Sequence, residues 1–518
     1  MRFSKSAIFF FAFIEGLVVM SVEFLGAKVI APFYGTSLQV WTSVIGITML
    51  ALALGYYLGG KFSTHKNPKT ILFRIIFLGS ILLLLIPILS TKIILLFSSN
   101  SIYVGSIVSS ILLLLPAICC FGMMNPVLIG NAGKGIEDAG NSTGIVYAAS
   151  TLGAVFSVLF LGFFIIPNFG ISSPIYLLTS FLGIILIAMS RKKGEKKFVF
   201  VSAALGLAML VLGMVSTFTF SKTKTVFKMH KILYETEGLL GQVTVIDHYH
   251  GDHHKMLYVN GISQTNEDIK TGISNGLYVH RISVTSSFKP AGSNALILGM
   301  GGGSLVKEFI DLKFNVDVCE LDERMPLVSK KFFGLDTSKV TISIDDARHF
   351  INTTSKKYDI IVFDIALGEI QPSHLFTTEA FQELKRLLKD NQSFVFFHYT
   401  DRGKKLLASR SICKTLESAG YVVKEFIPKP GLEDDKVFVA LITPPDMKKF
   451  IPGRQNKCCE KFGSRDLLVG LKPVNTSEAF ILTDDLPQLD ILNKETSIYY
   501  RNQTIKELLL KRMTGVNF

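Results

Sequence analysis

A chain of 518 residues is too long for one core and points to two or three domains. The net charge of +13 invites a nucleic-acid surface, but many of the Lys and Arg residues sit in short loops between hydrophobic runs, where a positive-inside bias accounts for them, so no nucleic-acid partner is expected. Cys119, Cys120, Cys319, Cys413, Cys458 and Cys459 form no CxxC pair, which implies neither a disulfide framework nor a zinc site, and no metal is expected.

Residues 7–220 are dominated by long apolar runs, whereas charge becomes frequent after Lys222, the signature of a membrane half joined to a soluble half. Seven candidate spans are read at about 7–32, 38–60, 71–92, 103–130, 143–167, 172–190 and 198–220. The first reads as a retained membrane helix and not a removed signal peptide. It carries Glu15 and Glu23, eight residues apart and near two helical turns, with Lys28 five residues further on. Carboxylates in lipid are costly, so both face the bundle interior or water, either as a polar pocket for a cation or substrate or as a structural salt bridge. In the fourth span Pro116 and Asn125-Pro126 free backbone carbonyls, which marks a kink or a cavity wall. Small residues such as Gly46, Gly55, Gly59 and Gly60, and Gly144, Ala148 and Gly153, suit close helix packing. The basic loops place the N-terminus in the cytoplasm. Seven spans then leave the soluble half outside, so either the count is off by one or that half is extracytoplasmic.

A basic linker follows, 221–235, suited to anionic headgroups. Gly241–Asp247 and Lys255–Gly261 alternate as a hairpin joined by a loop carrying His248, His250, Asp252, His253 and His254, which reads as a polar hairpin loop more readily than as a metal site. After Gly261 the chain is expected to enter a helix near Gly272, carrying Tyr278 and His280 toward the next segment.

That segment, Asn294 to Asp322, sets an apolar strand before glycines, a helix and a second strand ending in acid. Gly299, Gly301, Gly302 and Gly303 let backbone approach a ligand closely and aim the N–H groups of the next helix at it. Glu320 lies 21 residues after Gly299, where a carboxylate can accept both hydroxyls of a ribose. The pattern is GxGGG and not GxGxxG; the competing reading is a sharp turn with Glu320 solvated. Strands at about 294–299, 316–321, 340–344, 358–363 and 393–398 alternate with helices and predict a parallel, doubly wound sheet, closed by an antiparallel pair near 421–427 and 436–442. Ligands gather outside the carboxyl ends of such strands. Those ends carry Gly299 to Gly303, Glu320, Asp345 and Asp346, Asp364 and His398, so one site is expected there.

With these motifs in order, the chain resembles the spermidine synthase family of polyamine aminopropyltransferases, specifically its membrane-embedded branch. The resemblance rests on LYVNGISQT, the glycine turn, CELD, SIDDARHF, YDIIVFDIALG and HLFTTEAFQELKRLLK, on EFLGAKVIAPFYGTSLQVWTSVIG and GIVYAASTLGAVFSVLFLGFFIIPNFG in the apolar half, and on ILTDDLPQLD near the end. It implies a multi-pass α-helical domain (1–220), the linker, a small β subdomain (236–290), a Rossmann-like domain of the S-adenosylmethionine-dependent methyltransferase type (291–450) and a C-terminal extension (451–518). It further implies that Glu320 holds the ribose of an adenosyl co-substrate, Asp345 and Asp346 flank its adenine, and Gln264 lies along the aminopropyl chain. Asp364 would orient and deprotonate the attacking amine. Tyr278, His280 and Gln371 fall on the substrate side, with the loop Gln371 to Leu375 covering the site.

Three positions depart from the family: Gly302 replaces the Asp that grips the amino group of decarboxylated S-adenosylmethionine, Leu367 replaces a second acid, and the usual YHE segment reads Tyr278, Val279, His280, Arg281. Arg281 would suit the carboxylate of intact S-adenosylmethionine. The expected function is therefore a membrane-bound transferase moving an aminopropyl group from the decarboxylated donor to a small amine. The alternatives are a methyltransferase of the same fold acting on a membrane-associated substrate, and a transporter or sensor with a nucleoside-binding domain. The expected location is the cell membrane in contact with lipid, and a homodimer is one admissible assembly.

Overall fold

The computed structural model describes all residues except 1–2, 36–37, 66, 98–101, 133–135, 191–203, 205–206, 209–210, 212–224, 227–229, 250–252, 366–370, 427–434, 444–470 and 514–518. The chain divides into two compact units, one of Met1–Thr223 with Glu235–Val243 and Thr504–Thr514, the other of Lys224–Tyr234, Thr244–Gln503 and Gly515–Phe518.

In the first unit four helical stretches, Lys5–Ala31, Val40–Phe62, Pro68–Ile94 and Gly140–Ile165, are long and apolar enough to cross a membrane. Val104–Leu113 and Leu115–Ile129 make a further pair bent by 45°, and Ser173–Met189 is a shorter apolar helix. The seventh expected span, 198–220, lies almost wholly outside the described residues. The bend follows the expected site: Pro116 lacks an amide hydrogen, and Pro126 again removes a donor nearly three turns later. Helices Lys5–Tyr34 and Ile136–Phe160 cross with backbones touching, because a Cβ on Gly16 would lie 1.8 Å from the carbonyl oxygen of Ser150 and one on Gly153 2.0 Å from that of Phe13. Ser21 and Ser157 hydroxyls meet across the same seam at 2.8 Å. Side chains such as Leu152, Phe163 and Phe164 point outward, the surface expected of helices solvated by lipid.

The second unit holds one sheet of eight strands and most of a five-stranded one. A five-stranded sheet runs in the order β1 (Thr225–Val226), β2 (His230–Gly238), β3 (Gly241–His248), β4 (His254–Val259) and β5 (Ile262–Asp268). Strands β1 and β2 occupy part of the stretch read as a linker. Residues after Gly261 return as β5, a strand that was not expected, and the helix expected near Gly272 begins at Leu277. The reason is Asn260-Gly261: Val259 pairs with Ile262 and both loop residues have positive φ (50° and 77°), the two-residue hairpin turn that Asn-Gly favours. Fully buried Arg501 donates to the Asn260 carbonyl at 2.9 Å and fixes that turn. His250 and Asp252 of the histidine-rich loop lie outside the described residues, while the His248 ring stacks on His254.

The larger sheet has eight strands in the order β13-β11-β12-β10-β9-β6-β7-β8, with β6 (Asn294–Leu298), β7 (Asn315–Glu320), β8 (Val340–Ile344), β9 (Ile360–Phe363), β10 (Phe394–Tyr399), β11 (Val422–Phe426), β12 (Lys436–Leu441) and β13 (Leu471–Pro473). Strands β10, β9, β6, β7 and β8 are parallel; β12, β11 and β13 run antiparallel. The central strands read as unbroken apolar runs because helices cover both faces, and β9 is buried at every position. Residues expected as a separate C-terminal extension in fact complete the domain: β13, ended by Pro473, forms the sheet edge beyond β11. The ILTDDLPQLD segment docks through Asp484 on Arg348.

Arg348 is the electrostatic knot of this unit. Its guanidinium donates to both carboxylate oxygens of Glu383 (2.6 and 2.9 Å), to both of Asp484 (2.8 Å each) and to the His374 carbonyl (2.7 Å). The planar fork of arginine satisfies two carboxylates at once, which a lysine cannot do. Hydrogen bonds from Arg348 hold both Glu383 and Asp484 below the usual carboxylate range. Depressed acids stabilise the fold above their unfolded values, and that stability is lost as pH falls through the folded ones. Arg348→Lys is therefore expected to cost about 2 kcal/mol and lower the melting temperature by roughly 4–8 °C at neutral pH. In calorimetry this penalty should shrink below about pH 4, where the carboxylates protonate.

Candidate active site

Every parallel strand delivers one polar group to the same edge of the sheet. The turn after β6 begins at Gly299, with φ 90° and no room for a side chain: a Cβ there would lie 2.1 Å from the Asp364 carbonyl oxygen at the end of β9. Glycine at that position thus sets the turn directly against Asp364. The Gly302 amide donates to Thr265 Oγ1 at 2.8 Å, and a Cβ on Gly302 would strike the Thr265 methyl at 2.7 Å. The departure at Gly302 is therefore built into the packing, since β5 occupies the space a side chain would need. Gly303, left-handed at φ 83°, opens helix Ser304–Asp311. Glu267 anchors that helix to β5, accepting from Ser304 Oγ and Lys307 Nζ at 2.6 Å each. Gln264, beside Thr265 on β5, brings its backbone to the edge of Gly301.

Glu320 ends β7 and braces the turn. Its Oε2 accepts the Met300 N–H and its Oε1 the Asp322 N–H, both at 2.8 Å. Burial pushes its carboxyl up, opposed by these backbone donors. A further backbone donor comes from Leu321, and the carboxylate, with about four acceptor sites on its two oxygens, keeps capacity beyond these. At the end of β8, Asp345 meets His349 Nδ1 at 2.7 Å, and Asp346 caps helix Ala347–Thr353 by accepting from the Arg348 and His349 amides. Burial pushes the Asp346 carboxyl up, but those donors and His374 Nε2 at 3.1 Å outweigh it and hold it low.

The densest part of the site surrounds Asp364. Its Oδ1 accepts from His398 Nδ1 at 2.7 Å and its Oδ2 from the Tyr278 hydroxyl at 3.3 Å. The Tyr278 ring lies flat on the His398 imidazole, with centroids 3.6 Å apart and planes 2° from parallel. His398 Nε2 in turn reaches Asp435 Oδ2 at 3.2 Å, and Asp435 Oδ1 accepts from Arg402 at 3.1 Å. Burial alone would lower the His398 pKa, but Asp364 and Asp435 together raise it to about 10. The imidazole is thus an imidazolium at neutral pH and donates from both nitrogens, while His398 holds the Asp435 carboxyl low against burial. Burial and the Asp364 charge push the Tyr278 phenol well above its usual value, so it stays a donor.

Gly299, Gly301, Gly302, Gly303, Glu320, Asp345, Asp346, Asp364 and Tyr278 therefore gather along one edge, with Gln264 beside the turn. Gln371 is buried, and its Oε1 has no hydrogen-bond partner among the described residues. His280 is placed differently from the expectation of a substrate contact. Two residues after Tyr278 on the same helix, it points to the opposite side, where Nε2 meets the Ser274 carbonyl at 2.8 Å. Arg281 is buried with its guanidinium over the Phe426 ring and does not stand open to a donor carboxylate. Leu367 lies outside the described residues. Asp435 and Arg402 were not found from the sequence. The available signal was that β12 runs antiparallel, so the acid just before it falls at the carboxyl end of its parallel neighbours.

The spermine/spermidine synthase domain model matches residues 281–428. Among curated relatives, polyamine aminopropyltransferase 2 of Aquifex aeolicus (strain VF5) is 24% identical over 446 residues, covering 81% of this chain and 85% of that protein. That alignment is longer than the stretch after Thr223, so it takes in helical residues too. The polyamine aminopropyltransferase of Methanocaldococcus jannaschii is 28% identical over 204 residues, 38% of this chain and 67% of the relative. A probable spermidine synthase from Corynebacterium glutamicum ATCC 13032 superposes with a TM-score of 0.39 at 17% identity, over 50% of this chain and 97% of that one. Residues 281–428 thus carry a spermine/spermidine synthase domain on a Rossmann-like sheet with its polar groups on one edge, long apolar helices lie ahead of it, and the chain as a whole is similar to polyamine aminopropyltransferases.

Proposed function

We propose that the protein is a multi-pass protein of the cell membrane whose soluble unit moves an aminopropyl group from decarboxylated S-adenosylmethionine to a small amine. The observation that carries this reading is the chain Tyr278, Asp364, His398, Asp435 and Arg402 at the carboxyl ends of β9 and β10, next to the glycine turn. Glu320, with spare lone pairs at the end of β7, suits a ribose, and Asp345 and Asp346 stand one strand further along, where an adenine ring would lie.

The donor supplies a carbon already activated by its sulfonium. The protein's task is to align an amine in line with that carbon and keep its nitrogen lone pair free. Asp364, which accepts from the His398 imidazolium and from the Tyr278 hydroxyl, attracts the protonated amine and accepts its proton. The C–N bond forms as the C–S bond breaks, and methylthioadenosine departs with the sulfur electron pair. Asp435 and Arg402 hold the His398 ring in place, and the Tyr278 stack fixes its plane. Gln371, with its buried open oxygen, supplies an acceptor for an N–H of the amine.

The methyltransferase reading retains one observation in its favour: at Gly302 no side chain is available to grip the donor's amino group. The products separate the two readings. Full-length protein should release methylthioadenosine with the decarboxylated donor; S-adenosylhomocysteine from the intact donor would overturn the aminopropyl assignment. Asp364→Asn is expected to lower kcat by about 10²- to 10⁴-fold while nucleoside binding persists. A protein with no turnover before mutation would favour transport or sensing instead.

The His398 charge gives a pH signature. Its folded value of about 10 lies above the usual histidine value, so its stabilising effect is complete below that usual value and fades as pH rises through about 10. Wild-type kcat should therefore hold on the alkaline side until near pH 10. His398→Gln should lower kcat and remove that alkaline inflection, and an unchanged inflection in the variant would count against the assignment.

A further inference from the structure

The buried acid of the helical unit belongs to no reaction described above. Glu15 is 1% exposed, on the helix that crosses Ile136–Phe160 at the Gly16–Ser150 contact. One of its oxygens, Oε2, takes two donors, Asn125 Nδ2 at 2.8 Å and Ser150 Oγ at 2.6 Å. Its other oxygen, Oε1, has no hydrogen-bond partner among the described residues, and no cationic side chain pairs with it there. Glu23, with which it was expected to share a pocket, is not joined to it by a hydrogen bond.

Asn125 supplies a second, independent sign. It is likewise 1% exposed, one amide hydrogen is used on Glu15, and its Oδ1 has no hydrogen-bond partner among the described residues. It sits immediately before Pro126 in the short helix Met124–Ile129, beyond the bend of the broken pair. A helix interrupted at depth, with an acid aimed at the break, is how helical membrane proteins build polar sites without exposing backbone to lipid.

Glu15 and Asn125 are two buried residues joined by one hydrogen bond, each with an acceptor oxygen that has no partner among the described residues, and a positively charged donor would satisfy both. A divalent metal is a poor match, because it asks for about six oxygens, and no group of three or more His, Cys, Asp or Glu side chains converges among the described residues. A primary ammonium, with three N–H donors and one positive charge, is the better match. We infer that Glu15 Oε1 and Asn125 Oδ1 form a binding site for a protonated primary amine inside the helical unit, separate from the Asp364 site. The inference stands on the helical unit alone and does not require the transferase reading.

The test is calorimetric titration of full-length, detergent-solubilised protein with methylammonium chloride at constant ionic strength, sodium chloride being the balancing salt. An Asp364→Asn background removes any contribution from the other site. Saturable binding should persist in Asp364→Asn and weaken roughly 10- to 100-fold when Glu15→Gln is added. Asn125→Leu in the same background should also weaken it. Glu15→Gln keeps the size of the side chain, and an unchanged melting temperature will show that the bundle is intact. Absence of saturable binding, equal binding by the Glu15→Gln protein, or sodium competing as well as methylammonium would each overturn the assignment.

Discussion

The catalytic edge depends on one close approach. Gly299 lies so near the end of β9 that a single added carbon would sit on the Asp364 carbonyl oxygen. That contact puts the glycine turn and the acid in the same place, and β6 and β9 are neighbours in parallel register, Leu298 beside Phe363. From this pairing the rest of the site is laid out by sheet geometry: Glu320 one strand to one side, His398 one strand to the other. The buried apolar strands supply the rigidity that makes such positioning worthwhile, since the closely packed Phe363, Phe376, Phe381 and Phe397 leave little freedom beneath the site.

On that frame the electrostatics are layered. Asp364 and Asp435 are two carboxylates separated by one imidazole, and the imidazolium makes both tolerable in a desolvated place. Remove the imidazole and two anions would face each other without a donor between them. The stacked Tyr278 excludes water from one face of the ring and spends its hydroxyl on Asp364. Glu320 has a different kind of support, backbone amides, with no cationic partner among the described residues. The edge around Asp364 is thus strongly charged, and the edge around Glu320 is organised by neutral hydrogen-bond donors.

The helical unit repeats the same logic with other materials. Small residues bring helices into backbone contact at Gly16 and Gly153, and the polar groups at that seam, Ser21, Ser157, Ser150 and Glu15, bond to one another across it. Many of its outward side chains, such as Leu152, Phe163 and Phe164, are large and apolar. Much of what distinguishes this chain from a minimal Rossmann-like domain lies in these helices and in the segment carrying Asp484, which returns to lock Arg348.

The order of β6 to β12 was legible because buried parallel strands read as apolar runs and the polar residues ending them stand out by contrast. Gly299, Glu320, Asp345, Asp346 and Asp364 were visible for that reason. The hairpin β4–β5 was missed although Asn260-Gly261 announces it, since the half-polar alternation of ISQTNED was read past. What only the tertiary structure decided is partnership. Helical phase, not residue type, turns Tyr278 toward the site and His280 away. The antiparallel return of β12 brings Asp435 to His398, 37 residues distant. The packing of Thr265 explains why position 302 holds no side chain. A sequence shows which groups carry charge and where strands end; which groups touch depends on contacts between residues far apart in the chain, and those exist only once the sheets and helices have packed.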